Sequence, residues 1–174
     1  YIGSASDIQL SGKFSDKVFF FNKTVTVTGN SNSMSDSMIT VLSGASNSSF
    51  SNLKITNTKD VTYGIFLNSA SNCVIKDCTI NNTGASSYDI CLGNGAKYNK
   101  ILDNKLYTYG ITYGHNTRST PPLVLSGSDY NEIAGNKFII DDANAIYLST
   151  YAGGPLTGGT SNYNNIHDNT IKYN

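Results

Sequence analysis

Tryptophan is absent from this sequence, and glutamate and arginine each occur once, as Glu132 and Arg118. Charged residues make up only 14% of the chain. Glutamate and arginine are strong helix formers, and no long stretch repeats its apolar residues at the 3.6-residue period of an amphipathic helix. We therefore expect almost no α-helix.

The charge balance argues against two classes of partner. Lys+Arg and Asp+Glu both number 12, so the net charge is zero, whereas nucleic acids and anionic membranes are bound through clustered positive charge. No apolar run approaches the roughly 20 residues of a membrane-spanning helix. The chain begins YIGSAS, without an initiator Met or a signal peptide, which predicts a processed chain or a segment of a longer protein.

Cysteine is scarce, with three residues at positions 73, 78 and 91. The number is odd and the spacing is not that of a metal site. We expect buried or half-buried thiols, and we predict no metal ion or cofactor.

What the sequence does contain is a repeat, in a chain of which about a third is Asn, Ser or Thr. Each copy has an apolar residue, a small residue or Asn three positions later, and an apolar residue at the fifth position, although the first copy is degraded. The copies are Phe50-Leu53-Ile55, Ile75-Cys78-Ile80, Ile101-Asn104-Leu106, Ile133-Asn136-Phe138 and Ile166-Asn169-Ile171. The copies start at residues 50, 75, 101, 133 and 166. Repeats at such intervals, made of short alternating segments, predict a solenoid whose chain turns a corner inside each copy.

A second short alternating strand follows each first one. Its copies are Ile8-Gln9-Leu10, Ile39-Thr40-Val41, Ile65-Phe66-Leu67, Ile90-Cys91-Leu92, Leu123-Val124-Leu125 and Ile146-Tyr147-Leu148. Thr24–Gly29 is placed opposite Asn52–Ile55. The sequence therefore predicts an all-β fold, a single parallel β-helix domain over residues 1–174 with about six coils. We expect it to be right-handed, because parallel crossovers are.

Asn104, Asn136 and Asn169 fall in one column of this arrangement. They either form an amide ladder from coil to coil or occupy left-handed corner positions. The preceding column contains Asp77, Asp103 and Asp168, together with Asn52 and Gly135, and a tight turn explains it.

The N-x-I-x-x-N-x-I corners and the G-I-x-L strand resemble the right-handed parallel β-helix repeats of the pectate-lyase-like superfamily. The Asn/Ser/Thr-rich composition is similar to that of adhesin-like surface proteins of methanogenic archaea. The resemblance covers residues 5–174. It implies the fold, whereas the function stays open because this scaffold carries lyases, hydrolases, tailspikes, adhesins and inert spacers.

Phe66, Cys91, Val124 and Tyr147 are predicted to form an apolar stripe on the outer face of the second strand, beside two insertions at residues 107–122 and 149–162. The insertions cover the stripe, or they wall a groove for a surface polysaccharide, or a second β-helix packs there. The groove would be formed by Phe66, Val124, Tyr147, Tyr109, Tyr113, His115, Arg118 and Tyr151.

Enzymes of the resembled superfamily carry carboxylates, or a calcium cluster with a basic residue, on an outward strand face. The candidates here are Asp89, Asp141 and Asp142. An inverting glycosidase needs two carboxylates about 6.5–9.5 Å apart, which keeps a polysaccharide lyase or hydrolase as the alternative function.

Three glycosylation sequons begin at Asn22, Asn47 and Asn81, and they favour an extracellular or cell-surface location. The expected function is a non-catalytic, adhesin-like or structural module of a surface protein or filament. Because no cap is evident at either end, we expect end-to-end stacking of copies or flanking coils of a longer chain.

Overall fold

The computed structural model of this chain describes residues 7–59, 63–84, 87–108, 111–113, 116–118, 120–141, 143–150 and 155–173. Within these ranges the chain forms β-strands and one short 3₁₀ turn at Ser43–Ala45, and it contains no α-helix. The predicted all-β class is confirmed. No helix in the described ranges has the length and apolar character needed to cross a membrane.

The strands are short from the third coil onward, where a coil is one circuit of the solenoid. In chain order they are β1 (Asp7–Ser15), β2 (Val18–Phe21), β3 (Thr26–Ser35), β4 (Met38–Val41), β5 (Ser49–Ser51), β6 (Lys54–Asn57), β7 (Tyr63–Asn68), β8 (Val74–Lys76), β9 (Thr79–Asn82), β10 (Tyr88–Gly93), β11 (Lys100–Leu102), β12 (Lys105–Thr108), β13 (Ile111–Tyr113), β14 (Asn116–Arg118), β15 (Leu123–Ser126), β16 (Glu132–Ala134), β17 (Lys137–Ile140), β18 (Ile146–Ser149), β19 (Asn165–His167) and β20 (Thr170–Tyr173).

Parallel pairing joins each strand to its counterpart in the next coil. A six-stranded sheet has the order β18-β15-β10-β7-β4-β2. A twelve-stranded sheet runs β19-β16-β11-β8-β5-β3-β6-β9-β12-β17-β20, with β1 also paired to β3. Only β13 and β14, which form a small separate sheet, pair antiparallel among the described strands. The predicted parallel β-helix is confirmed.

The long strand β3 explains why the larger sheet branches. Its first half pairs with β5 and its second half pairs with β6. From β5 onward a corner divides this strand in two, and both halves then stack as separate columns.

A residue with positive φ sits at each corner. The first corner comes just before β5 and its counterparts β8, β11, β16 and β19, and its positive-φ residues are Asn47, Asn72, Tyr98, Tyr130 and Tyr163. The second corner lies between β5 and β6 and between the equivalent strand pairs of later coils, and its positive-φ residues are Asn52, Asp77, Asp103, Gly135 and Asp168. Glycine, asparagine and aspartate adopt this left-handed conformation most readily. The predicted turn role of the aspartate column agrees with these φ values.

The core consists of stacked aliphatic side chains between the sheets. Ile80, Ile90, Leu92 and Leu106 are fully buried, as the alternation predicts. The same alternation predicts full burial of Ile146 as well, and this prediction is wrong, because Ile146 is only half-buried. It lies in β18, the edge strand of its sheet, and no further strand among the described residues covers it.

The first coil departs from the predicted register. Ile8, Gln9 and Leu10 pair with β3 in the larger sheet, and Val18–Phe21 takes the predicted place of these residues beside β4. Val27 lies opposite Phe50 rather than Ile55. Because β1 and β3 run straight through the position of the later corner, the alternation alone does not show which column each residue joins.

Candidate functional site

Asparagine side chains at the second corner form a ladder along the solenoid. The Asn104 backbone N–H and Nδ2 both donate to Asn136 Oδ1, at 2.9 and 3.0 Å. Asn136 repeats both bonds to Asn169 Oδ1, at 2.9 and 3.0 Å. The positive φ belongs to the residue before each asparagine, so the amide-ladder alternative is the observed one.

A second ladder at the first corner was not predicted. It joins Asn99, Asn131 and Asn164 through equivalent bonds of 2.8 to 3.0 Å. The recurring Tyr-Asn dipeptides at 98, 130 and 163 were its signal in the sequence.

Cys73 and Cys78 occupy the same corner positions in the preceding coil. Their backbone N–H groups donate to Asn99 Oδ1 and Asn104 Oδ1, at 2.8 and 3.0 Å. Burial raises the pKa of both thiols, and that of Cys78 reaches about 12. These cysteines are therefore buried, unionised thiols within the ladders, in agreement with the prediction.

Three tyrosines form an exposed stack on the outside of the first corner, and we call Tyr98, Tyr130 and Tyr163 the tyrosine column. The ring centroids of Tyr98 and Tyr130 are 5.3 Å apart, and those of Tyr130 and Tyr163 are 4.9 Å apart. The three residues are 50%, 46% and 76% exposed. The ammonium group of Lys97 lies 5.9 Å from the Tyr98 ring centroid.

The backbone conformation of this column is unfavourable for tyrosine. All three residues have φ between 56° and 59°, which costs about 1–2 kcal/mol per residue with a Cβ. The two stacking contacts between neighbouring tyrosine rings each stabilise the fold by only about 0.5–1.5 kcal/mol. Asn47 and Asn72 hold the equivalent corner in earlier coils, so the fold does not require an aromatic residue there.

The outer stripe runs along the six-stranded sheet in the register Phe20, Thr40, Phe66, Cys91, Val124 and Tyr147. Phe20 takes the place predicted for Gln9. Phe66, Cys91 and Val124 are buried in a small cluster with Leu156, which belongs to the second insertion. Leu156 therefore covers the middle of the stripe, and Phe66 and Val124 are not the exposed floor of a groove.

Asn94 anchors this cover. Its Nδ2 donates to Pro155 O at 2.8 Å, and its Oδ1 accepts from the Thr157 backbone N–H at 2.7 Å. Gly93 allows the close approach, because a Cβ there would lie 2.4 Å from Leu156 Cδ2.

The remaining groove residues are distributed differently. Tyr147 is 45% exposed at the end of the stripe, while Tyr109, His115 and Tyr151 lie outside the described residues. Tyr113 and Arg118 belong to the hairpin strands β13 and β14. A binding role for these residues stays a prediction.

Removal of the cover should expose Cys91, whose pKa burial raises to about 12. We expect Leu156→Ala to increase the rate at which a thiol reagent labels Cys91 in the folded protein, while Cys73 and Cys78 stay protected. Mass spectrometry of labelled peptides measures the three rates separately. An unchanged Cys91 rate in a folded variant would contradict the observed packing.

Asp89 is buried, not displayed on the outer face as predicted. Its Oδ1 accepts from the Asn82 backbone N–H at 2.9 Å, and its Oδ2 accepts from the Tyr107 backbone N–H at 2.7 Å. Burial raises the pKa of this carboxyl well above its ordinary value, and the two N–H groups oppose the shift. Both oxygens thus accept hydrogen bonds from backbone amides of β9 and β12, and Asp89 is a structural carboxyl.

The raised pKa of Asp89 predicts a pH dependence of stability. Because the folded protein binds the proton of Asp89 more tightly than the unfolded chain does, protonated Asp89 adds to the free energy of unfolding. This stabilisation is complete below the ordinary pKa of 3.8 and is lost as the pH rises through the raised pKa. In the Asp89→Asn variant, the side-chain NH₂ group, which cannot accept a hydrogen bond, faces one of the two backbone N–H groups. We therefore expect a smaller free energy of unfolding than in the wild type, and we expect the difference between the two proteins to shrink as the pH rises. Urea unfolding of both proteins from acidic to mildly alkaline pH measures this difference. The surface carboxylates Asp16, Asp36 and Glu132, whose pKa values are lowered, cancel in the comparison, and a deficit that stays constant with pH would contradict the assignment.

The other predicted polar positions are scattered. Asp141 is exposed after β17, and Asp142 lies outside the described residues. In the described ranges no three His, Cys, Asp or Glu side chains gather in a group that could hold a metal ion.

The three glycosylation sequons differ in exposure. Asn22 and Asn47 are exposed, whereas Asn81 is half-buried in β9. Whether these sequons carry glycans stays a prediction.

Comparisons with protein-family models, curated proteins and solved structures found no match to this chain. The resemblance to pectate-lyase-like repeats therefore rests on the corner motifs and the parallel fold. The resemblance to archaeal adhesins rests on composition alone.

Proposed function

We propose that this chain is a non-catalytic, adhesin-like module of a cell-surface protein and that it binds polysaccharide through the tyrosine column. The observation that carries the proposal is the stack of three exposed tyrosines in left-handed corner positions. A bulky residue held in an unfavourable conformation at a surface is a reason to look for function there. A phenol joins an apolar ring to a hydroxyl group, which suits the mixed apolar and hydroxyl surface of a sugar.

The repeat geometry favours a polymer as the ligand. Because the rings face one another at 4.9 to 5.3 Å, their edges and hydroxyl groups lie in a row along the solenoid. A row of equivalent contacts gains avidity from a ligand that also repeats. The exposed sequons Asn22 and Asn47 fit an extracellular location, and the enclosure of Asp89 by backbone amides removes it as a surface acid for catalysis.

The tyrosine column is tested by replacing its residues with asparagine, which occupies the same corner position in earlier coils. Tyr98, Tyr130 and Tyr163 are all replaced by Asn, the residue at Asn47 and Asn72 in the same column. In affinity electrophoresis through neutral and acidic polysaccharides, we expect the variant to bind the retarding polymer at least about tenfold more weakly. Its melting temperature should be unchanged or higher, because asparagine tolerates the left-handed conformation.

Two further measurements separate this proposal from its alternatives. Tyr147→Ala, on the other sheet, should leave retardation unchanged, and loss of binding in this variant alone would place the site on the outer stripe. Release of reducing ends or unsaturated sugars from the bound polymer would show catalysis and contradict a non-catalytic module.

A further inference from the structure

The backbone sets the spacing of the tyrosine column. The Tyr98 backbone N–H donates to Asp129 O at 3.4 Å, and the Tyr130 backbone N–H donates to Asn162 O at 3.1 Å. Successive corners are therefore joined by main-chain hydrogen bonds, and strands joined in this way lie about 4.7–4.9 Å apart. The ring centroids, at 5.3 and 4.9 Å, follow this spacing. A ligand that uses the whole column must therefore offer an equivalent group about once per coil.

The rings of the column present their edges to a ligand. Their planes differ by 22° between Tyr98 and Tyr130 and by 11° between Tyr130 and Tyr163. A sugar between two phenol rings needs about 3.5–4.0 Å on each side, which is more than the spacing provides. Among the described residues the three tyrosine hydroxyl groups have no hydrogen-bond partner. The column therefore offers a row of phenol hydroxyl groups, one per coil.

The charges beside the column cancel. The surface residues one position before and two positions after the tyrosines are Lys97, Asp129, Asn162, Lys100, Glu132 and Asn165. Two lysines and two acidic residues give a net charge of zero at neutral pH, and Lys100 pairs with Glu132 at 2.9 Å. A polyanion would meet both acidic side chains beside Tyr130, where like charges repel. The surroundings of the column therefore favour an uncharged polymer.

The linkage of a polysaccharide decides how far the chain advances with each sugar. In a β-1,4-linked chain of glucose-like sugars, both linking bonds are equatorial and leave opposite ends of the ring. Such a chain is extended and advances by nearly one ring length per sugar, which is close to the distance between adjacent coils. An α-1,4 linkage has an axial bond and a β-1,3 linkage joins positions that are not opposite, so these chains coil and advance less per sugar. The extended chain matches the column.

We infer that the tyrosine column binds an uncharged β-1,4-linked polysaccharide that lies parallel to the solenoid axis, with one sugar beside each ring. Each tyrosine hydroxyl group exchanges a hydrogen bond with a hydroxyl group of one sugar, and the repeated contact adds avidity along the column. The inference rests on the proposed function, which leaves the linkage and the charge of the polymer open.

Three glucose hexamers that differ only in linkage test the match. We expect β-1,4-linked cellohexaose to bind at least about tenfold more tightly than α-1,4-linked maltohexaose or β-1,3-linked laminarihexaose in titration calorimetry. The variant with asparagine at all three tyrosine positions should lose this preference. Equal, column-dependent binding of the three hexamers would overturn the inference and leave the proposed function standing. Binding of no polysaccharide through the column would contradict both.

A charged hexamer with the same linkage tests the inferred neutrality of the ligand. A β-1,4-linked hexamer of glucuronate differs from cellohexaose only in its carboxylates. We expect it to bind at least about threefold more weakly at physiological salt, because the charges beside the column cancel and Asp129 and Glu132 repel it. Binding as tight as that of cellohexaose would show that the column accepts polyanions and would overturn this part of the inference.

Short ligands test the match of one sugar to one coil. Cellotriose should bind at least about threefold more tightly than cellobiose to the wild type, because its third sugar reaches the third ring. In the Tyr98→Asn variant, which keeps two adjacent rings, the two ligands should bind equally. A third sugar that adds no affinity in the wild type, or that adds the same affinity in the variant, would overturn the register of one sugar per coil.

Discussion

Replacement of Asn136 by alanine should destabilise the protein by more than about 3 kcal/mol, since each buried group left without a partner costs about 1–3 kcal/mol. Asn136 Oδ1 accepts two hydrogen bonds from Asn104, and its Nδ2 donates to Ile101 O at 2.8 Å. All of these groups lie inside the solenoid, where water does not replace the missing side chain. Chemical denaturation of the wild type and the variant measures the loss.

Asn165→Ala provides the matched control, because its side chain is exposed in β19 and belongs to neither ladder. We expect a change within about 0.5 kcal/mol for this surface position. Equal effects of the two substitutions would mean that the carboxamide of Asn136 is solvated, contrary to the ladder.

Ile90→Ala should cost about 2–5 kcal/mol, the range for deletion of a fully buried aliphatic side chain. Ile90 lies between Ile65 and Leu123 in the six-stranded sheet and is completely buried. Phe20→Ala on the exposed end of the outer stripe is the comparison, and we expect less than about 1 kcal/mol there. A loss below about half a kcal/mol for Ile90→Ala would mean that the register of β10 is shifted by one residue.

The sequence predicted those parts of the fold that carry a repeated corner. Ile75, Cys78 and Ile80 were placed correctly because an apolar triplet with a fixed spacing defines both strands and the turn between them. The first coil has no such corner. Ile8, Gln9 and Leu10 show only a two-residue alternation, which fits any strand column equally well.

The candidate site was predictable in part. Alternation placed Cys91 and Val124 on the outer stripe, but nothing local in the sequence indicated that Leu156 packs on them. Asp89 was assigned to the outer face by parity with Cys91. The structure instead packs Tyr88 against the outer cluster and directs the Asp89 carboxylate to backbone amides, so the alternation does not hold across residues 88 to 91.

The tyrosine column was missed for a physical reason. Sequence rules assign left-handed corners to glycine, asparagine and aspartate, and Tyr98, Tyr130 and Tyr163 break that rule. The alignment of these residues with Asn47 and Asn72 becomes clear only when the corner positions are known. Departures from local preference are expected at functional positions, and for this reason the column became the proposed binding site.

Along both ladders, the carboxamide oxygens of the corner asparagines accept hydrogen bonds from backbone N–H groups of the preceding coil. Scalar coupling across a hydrogen bond, measured by NMR, tests this arrangement at single-atom resolution. We expect coupling between the Asn104 backbone nitrogen and the side-chain carboxamide carbon of Asn136, whose Oδ1 accepts that N–H at 2.9 Å. Coupling of the same nitrogen to a backbone carbonyl carbon instead would contradict the ladder and the parallel register that depends on it.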